Sequence, residues 1–362
     1  MPIYKMEGKR DGLQKYRVRH NYVDEHGIAR QTDKVVYGSD AAKELDRELL
    51  QRKYAIPKHT VAELCEEYVR IKSHEIRETS LDTLKKIIRL RILPYLGEEV
   101  VEYLNAAALQ SWKQTLEETG WSLKTKQDAY GELRAVLQYA IRMEYIEKNP
   151  LPQVGNFKDA YKTKPEIFFY TPEEFKRYIN IPLKRQEWNY YVFFNIAFYT
   201  GLRKGEIHAL KWTDIDGEYL TVSRSIAQKL KGPYRETPPK NLTSCRRLQI
   251  PKPLMVILRD QKERQKMMEG FTEDFRVCGG PVCLCDTGVD HANRRYAEQA
   301  GIKRIRIHDF RHSHASLLAN AGINILEISK RLGHAKVEIT LNTYSHLYPK
   351  EEERAVSILN AV

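Results

Sequence analysis

With 362 residues, 42% of them hydrophobic, the chain is long enough for two or three domains with real cores, which excludes global disorder. Its formal net charge of +12 favours a polyanionic partner, most often nucleic acid. No apolar run approaches the roughly 18 residues that span a bilayer, the start has no secretory apolar segment, and five cysteines do not make a disulfide framework, so a cytoplasmic protein without a membrane partner is expected.

Residues 1–56 read as a small α+β unit. Asp11-Gly12 signals a turn, and 13–23 then alternate with period two. Tyr16, Val18 and Tyr22 fall on one face, and Lys15, Arg17 and Arg19 on the other. Residues 24–27 turn the chain, 28–37 read as a further strand, and Ser39-Asp40 caps a helix to about residue 54. A small sheet with a basic face suits a DNA major groove, and an ordinary solvated face explains Lys15, Arg17 and Arg19 equally well.

Residues 57–152 read as an all-α bundle. Ile56-Pro57-Lys58 is a linker, and Thr60-Val61-Ala62-Glu63 is a capping box. Helices are expected at 61–73, 80–93, 105–119 and 123–143, with Leu133, Val136, Leu137 and Ala140 forming one buried stripe. Lys85, Lys86, Arg89 and Arg91 on one side, and Lys124, Lys126 and Arg134 on another, supply basic surface. They are candidates for DNA contact, though solvated helical faces account for them residue by residue.

After a linker, residues 165–362 read as a mainly α domain with a small antiparallel sheet. Thr171-Pro172-Glu173-Glu174 opens it with an N-cap, a proline and acid in the first turn. An apolar helix at 189–200 stops at Gly201, and 203–211 is helical again. Strands are expected at 219–224 and 245–250 with a long loop between them. Helices follow at 254–268, 287–299, 309–321, 324–332 and 336–347. Cys278, Cys283 and Cys285 lie close together, but their spacing is not a usual zinc pattern.

Several residues of this last domain share a chemistry. Breaking a phosphodiester without metal builds negative charge on the non-bridging oxygens, and arginine's planar fork meets such charge with two bonds at once. Arg203 and Arg311 are the candidates. His308 lies three residues before Arg311, so with Asp309 as helix cap both side chains can face one helix start, which itself favours an anion. His334 follows a glycine that turns the chain between helices and can donate a further bond. Tyr344 is the candidate nucleophile. A free phenol has a pKa of about 10, so its proton must be taken or its oxyanion stabilised. An imidazole such as His308 suits the first task and the cations suit the second. Lys240, between the two expected strands, can protonate the leaving oxygen, with Lys231 as a neighbouring choice. No nucleotide, metal or other cofactor is required.

Gly201-Leu202-Arg203 with Glu206, His308-x-x-Arg311, Leu332-Gly333-His334 and Tyr344 resemble the four motif blocks of the tyrosine recombinase, or phage integrase, family, in the family's order. The resemblance implies an Arg–Lys–His–Arg–His–Tyr pocket at Arg203, Lys240, His308, Arg311, His334 and Tyr344, with Glu206 bracing it. It implies a site-specific recombinase that works through a 3′-phosphotyrosine, with 57–152 as core-binding domain. Residues 1–56 are similar to the three-stranded arm-binding domain of integrases from temperate phages and conjugative transposons of Gram-positive bacteria. The family further implies double-stranded DNA with core and arm sites, a synaptic homo-tetramer, a C-terminal tail from 347 that docks on a neighbouring protomer, and commonly a DNA-bending protein and an excisionase.

Other readings compete. His308, His312 and His314 are spaced for a metal, but Arg311 between them repels a cation and no H-E-x-x-H follows. Residues 324–347 also read as a helix-turn-helix, which makes the chain a DNA-binding regulator. A type IB topoisomerase-like enzyme shares the chemistry, but two DNA-reading units ahead of the catalytic domain argue against it.

Overall fold

The computed structural model describes residues 3–23, 29–53, 59–159, 168–227, 235–237, 244–345, 356 and 359–360. The chain divides into two compact units, Met1–Lys162 and Thr163–Val362. The expected turn at 24–27, the linker residues 56–58, Lys231, Lys240 and nearly all of the tail from 347 lie outside the described residues.

The first unit begins with an antiparallel sheet in the order β1 (Ile3–Arg10), β2 (Leu13–Val23), β3 (Ala29–Tyr37). Asp11 and Gly12 both take positive φ, 51° and 80°. A tight hairpin turn matched to strand twist needs that conformation. One face of the sheet packs Val18 against Ala42 and Leu49 of α1 (Ser39–Lys53), with Tyr16 and Val36 alongside. The side chain of Tyr22 lies outside the described residues. His20, on the same face as Val18, bonds Asp46 of α1 at 2.6 Å. The opposite face carries Arg17 and Arg19, and both are bonded to Asp33 on β3.

The rest of this unit is helical and has its own core. Thr60 and Glu63 form the expected capping box at α2 (Val61–Glu75). The helix expected at 80–93 is instead three pieces: α3 (Glu78–Ile87), a π-helical turn (Ile88–Ile92) and α4 (Leu93–Leu96). Pro94 lacks an N–H and its ring crowds the carbonyl one turn earlier, so the helix widens there. Trp112 on α5 (Ala106–Glu118) donates to the Arg91 carbonyl in that turn at 2.9 Å. On α6 (Leu123–Arg142), Leu133, Val136, Leu137 and Ala140 are fully buried, as their spacing requires. A short α7 (Leu151–Val154) follows.

The second unit is built around α9 (Trp188–Thr200), whose Val192, Phe193, Phe194, Ile196 and Ala197 are buried around the whole circumference, as befits a central helix. It packs on α8 (Pro172–Lys184), which opens with the expected N-cap at Thr171 and, with Glu174, completes a capping box there. After α10 (Lys204–Ala209), a sheet runs β4 (Ile215–Asp216), β5 (Tyr219–Val222), β8 (Arg246–Gln249). The expected loop between the strands contains a hairpin of β6 (Ser225–Ala227) and β7 (Arg235–Thr237), each too short to show alternation in sequence. Then come α11 (Lys252–Lys266), α12 (Asp286–Gln299), α13 (Asp309–Asn320), α14 (Ile325–Leu332) and α15 (Val337–Tyr344). Phe310 on α13 sits among Tyr170, Phe175, Tyr178 and Phe194, which fixes the start of that helix on the core. Among the described residues, no helix is long and apolar enough to cross a membrane.

Candidate active site

The site is assembled where the ends of α9 and α14 meet the start of α13. Gly201 ends α9 at φ 65°, and a Cβ there would stand 2.8 Å from the His314 ring and 2.9 Å from Leu332. Both the left-handed backbone and the crowding require glycine. Gly333 ends α14 in the same left-handed region. Arg311, 2% exposed, donates from Nη1 to the Gly201 carbonyl at 2.8 Å and from Nη2 to the Leu332 carbonyl at 2.6 Å. Arg203, at the N-cap of α10, reaches from Nη2 to the Gly333 carbonyl at 3.4 Å. The two guanidinium groups, 108 positions apart in the chain, therefore bond adjacent carbonyls of a single turn. A helix C-terminus carries partial negative charge, which suits both.

Glu206 holds Arg203. It is 5% exposed and accepts from Arg203 Nη1 and from the Arg203 backbone N–H, both at 2.9 Å. Arg246 of β8 donates to it from Nη2 at 2.9 Å and fixes its own Nε on the Arg331 carbonyl at 2.8 Å. Burial raises the Glu206 pKa, but the bonds from Arg246 and Arg203 outweigh burial and leave the carboxyl below its ordinary value. Arg246 was not among the expected residues.

His308 is the N-cap of α13, and Asp309 is its first helical residue rather than the expected cap. The Asp309 carboxylate instead accepts from the Arg306 backbone N–H at 2.8 Å. The His308 imidazole is pushed down to about 4 by partial burial, then by His312, Arg311 and Arg203. His308 is exposed to solvent. His334, directly after Gly333, has Nδ1 2.8 Å from the Thr340 hydroxyl. Burial and the charges of Arg311 and Arg203 push it to about 4 as well. An imidazole whose Nδ1 accepts the Thr340 proton keeps its own on Nε2, free to donate.

Tyr344 closes the set. It lies in the last turn of α15, 1% exposed, packed with Ala315, Ala319, Ile328 and Leu332. Burial raises the phenol's pKa, and the Arg311 charge opposes the rise. Its hydroxyl bonds Nδ1 of His312 at 2.6 Å, not the expected His308. His314 points elsewhere: its Nδ1 bonds the Phe198 carbonyl at 2.9 Å and its Nε2 accepts from Arg331 at 3.0 Å. Three histidines spaced within seven residues thus face three different places.

Residues 169–351 match the model of the phage integrase family, and residues 60–116 match the N-terminal SAM-like domain of phage integrases. The chain is 30% identical over 286 residues to the ICEBs1 integrase of Bacillus subtilis, covering 76% of each. It is 31% identical to a XerC-like tyrosine recombinase of Caldanaerobacter subterraneus, covering 72% of each. It belongs to the phage integrase family of tyrosine recombinases. Solved structures share the recombinase's fold. The integrase of transposon Tn1549 in complex with transposon right end DNA superposes with TM-score 0.69 at 21% identity, over 84% of this chain and all of that one (100%). A lambda integrase dimer bound to a core site gives 0.60 at 19% identity, over 79% of this chain and 95% of that one.

The recombinase's other candidate residues are spread over the first unit. Lys15 is half-buried, while Lys85 and Lys86 are exposed. Lys124 pairs with Asp128 at 2.6 Å, and Lys126 donates to the Glu117 carbonyl at 3.0 Å. Arg17 and Arg19 converge on one carboxylate, that of Asp33, which they hold at about 2.

Proposed function

We propose that this recombinase cuts and rejoins double-stranded DNA through a 3′-phosphotyrosine at Tyr344, integrating and excising a mobile element or prophage. Arg203 and Arg311 receive the scissile phosphate, and His334 and His308 donate to its remaining oxygens as charge builds. Glu206 keeps Arg203 aimed. Lys240 protonates the leaving 5′-oxygen. The phosphotyrosine conserves the bond energy, so a second 5′-hydroxyl reverses the step without a nucleotide cofactor. One observation carries this reading: two arginines far apart in sequence bond neighbouring carbonyls of one turn, and the tyrosine packs one helix away.

In this proposal residues 165–362 catalyse, 57–152 grip the core site through Lys85, Lys86, Lys124 and Lys126, and 1–56 bind arm sites through Lys15, Arg17 and Arg19. Relatives bound to transposon and core-site DNA support a DNA partner. Synapsis in a homo-tetramer in the cytoplasm, with a DNA-bending protein and an excisionase to set direction, completes it. The test is covalent trapping on a nicked target site. Wild type gives an adduct that survives denaturant, and Tyr344→Phe gives none. A wild-type protein that shifts the site without ever trapping it points to the regulator instead.

A further inference from the structure

A buried phenol must lose a proton to attack phosphorus, and the acceptor expected from the sequence is an imidazole such as His308. Among the described residues, the Tyr344 hydroxyl has one hydrogen-bond partner, Nδ1 of His312 at 2.6 Å. His308 is not placed for the task. Its ring stands 5.3 Å from that of His312, edge to face, and the charges of Arg311 and Arg203 act on it. We infer that His312 is a catalytic residue of the recombinase: it holds the Tyr344 hydroxyl and takes its proton as the tyrosine–phosphorus bond forms.

Three observations support the assignment, which rests on the proposed phosphotyrosine chemistry. First, the helix places two tasks on one turn. Arg311 and His312 are consecutive on α13, so their side chains diverge by about 100°. Arg311 turns inward to the carbonyls of Gly201 and Leu332, and His312 turns to α15. Because both leave the same rigid turn, the phenol is held in register with the guanidinium that meets the phosphate.

Second, the ring is in the right form. Burial lowers the His312 pKa, Asp309 raises it, and Arg306 and Arg311 lower it further. The other titratable groups against it are His308 and Tyr344. A neutral imidazole with its proton on Nε2 accepts at Nδ1, and this is the tautomer the assignment requires.

Third, atoms and charge balance. The Tyr344 proton passes to Nδ1, the Oη–P bond forms, and the P–O5′ bond breaks with its oxygen protonated by the proposed Lys240. On rejoining, a 5′-hydroxyl gives its proton to the now neutral Lys240 and attacks phosphorus, the P–Oη bond breaks, and the His312 imidazolium returns its proton to Oη.

The experiment compares wild type, His312→Asn and His312→Ala in single-turnover adduct formation on a nicked site across pH 5.5–9. Asparagine puts an acceptor oxygen near the Nδ1 position but cannot take the proton. Both variants should shift the same DNA at wild-type concentrations, which shows that they fold. Adduct formation should slow by about 10²-fold in both, a typical general-base effect. The wild-type rate should rise with pH and level off as one group deprotonates, and that inflection should vanish in His312→Asn. A substrate with sulfur in place of the leaving 5′-oxygen needs no proton on its leaving group, so it should not rescue either variant.

Three results overturn the assignment: a wild-type rate and pH profile in His312→Asn, a faster rate in either variant, or rescue by the sulfur substrate. The first makes His312 structural, the second makes it a restraint on the tyrosine, and the third places its role at the leaving group. Failure of wild type to form any Tyr344 adduct is a different result, and it overturns the phosphotyrosine reading itself.

Discussion

Two of the recombinase's arginine–carboxylate–arginine triads make a contrast, one on the N-terminal sheet and one around Glu206 in the catalytic unit. On the sheet, Asp33 stands directly across the strand pair from Arg19 and diagonal to Arg17. All three belong to adjacent strands, with side chains 29% to 39% exposed. In the catalytic unit, Glu206 joins Arg203 of its own helix to Arg246 of a distant strand, and Glu206 and Arg246 are 5% and 6% exposed. The chemistry is the same and the consequence is not. Water and salt compete for the exposed triad, so its guanidinium groups can be surrendered to phosphate at little cost. In the second triad Glu206 and Arg246 are buried and cannot be parted without stranding charge, so Glu206 fixes where Arg203, itself 35% exposed, points.

The sharpest way to break this contrast is Glu206→Gln. It leaves Arg203 and Arg246 facing each other, with Arg311 nearby, and no carboxylate between them. Removing one partner from a buried pair costs about 3 kcal/mol or more, so the catalytic unit should unfold at clearly lower urea. Adduct formation should fall with it. Adding Arg246→Met should restore much of the stability, since a buried ion pair is readily replaced by apolar packing, but should not restore the rate. A double variant as active as wild type would show that Glu206 does not aim Arg203.

A smaller effect comes from pH. His314 lies deep among protein groups, and burial first, then Arg331, holds its imidazole at about 3, while His334 and His308 sit at about 4. Unfolded, each returns to about 6.5, so below that pH the unfolded chain binds more protons. The stability they contribute is complete above about 6.5 and is lost as pH falls toward their folded values. Because pH 5 lies about 1.5 units below the unfolded pKa of His314 and above its folded value, this residue alone costs about 2 kcal/mol there, which lowers the unfolding midpoint of a unit this size by roughly 5 °C. Duplex DNA should shrink the drop, because a phosphate beside His308 and His334 favours their protonation. A midpoint flat from pH 7 to 5 would show that His314 is already charged in the fold.

What could be read from the sequence divides along the same line as the two triads. That His308 and Arg311 share one helix start was legible because a helix turn enforces their spacing, whereas Tyr344 was singled out only by its place after the other motif blocks. Also legible were the stripe on α6 and the capping box at Thr60 and Glu63, which depend on near neighbours. Arg246 was not, since its role appears only when β8 is laid beside α10, and the hairpin of β6 and β7 was hidden by its short strands. His312 was visible as a residue, but its bond to Tyr344 depends on how α15 packs against α13. The pairing of Arg17 and Arg19 with Asp33 needed the strand register, and without it the three basic residues read as a free face.

The exposed triad yields the smallest effect. In Asp33→Asn the two arginines lose the carboxylate that holds them, while no buried group is left unpaired. The unfolding midpoint should stay within error of wild type. DNA binding should change instead. If Arg17 and Arg19 then engage phosphates that Asp33 had denied them, affinity for an arm-containing duplex rises at low salt. The slope of log affinity against log salt should steepen by up to about 2, since each new phosphate contact adds about 0.9. A short core site without arm sequence should show neither change, which separates contact by the sheet from a general gain in positive charge. Equal slopes for Asp33→Asn and wild type on the arm duplex would mean that the sheet's basic face is solvated rather than seated on DNA, and only the buried triad would then serve the reaction.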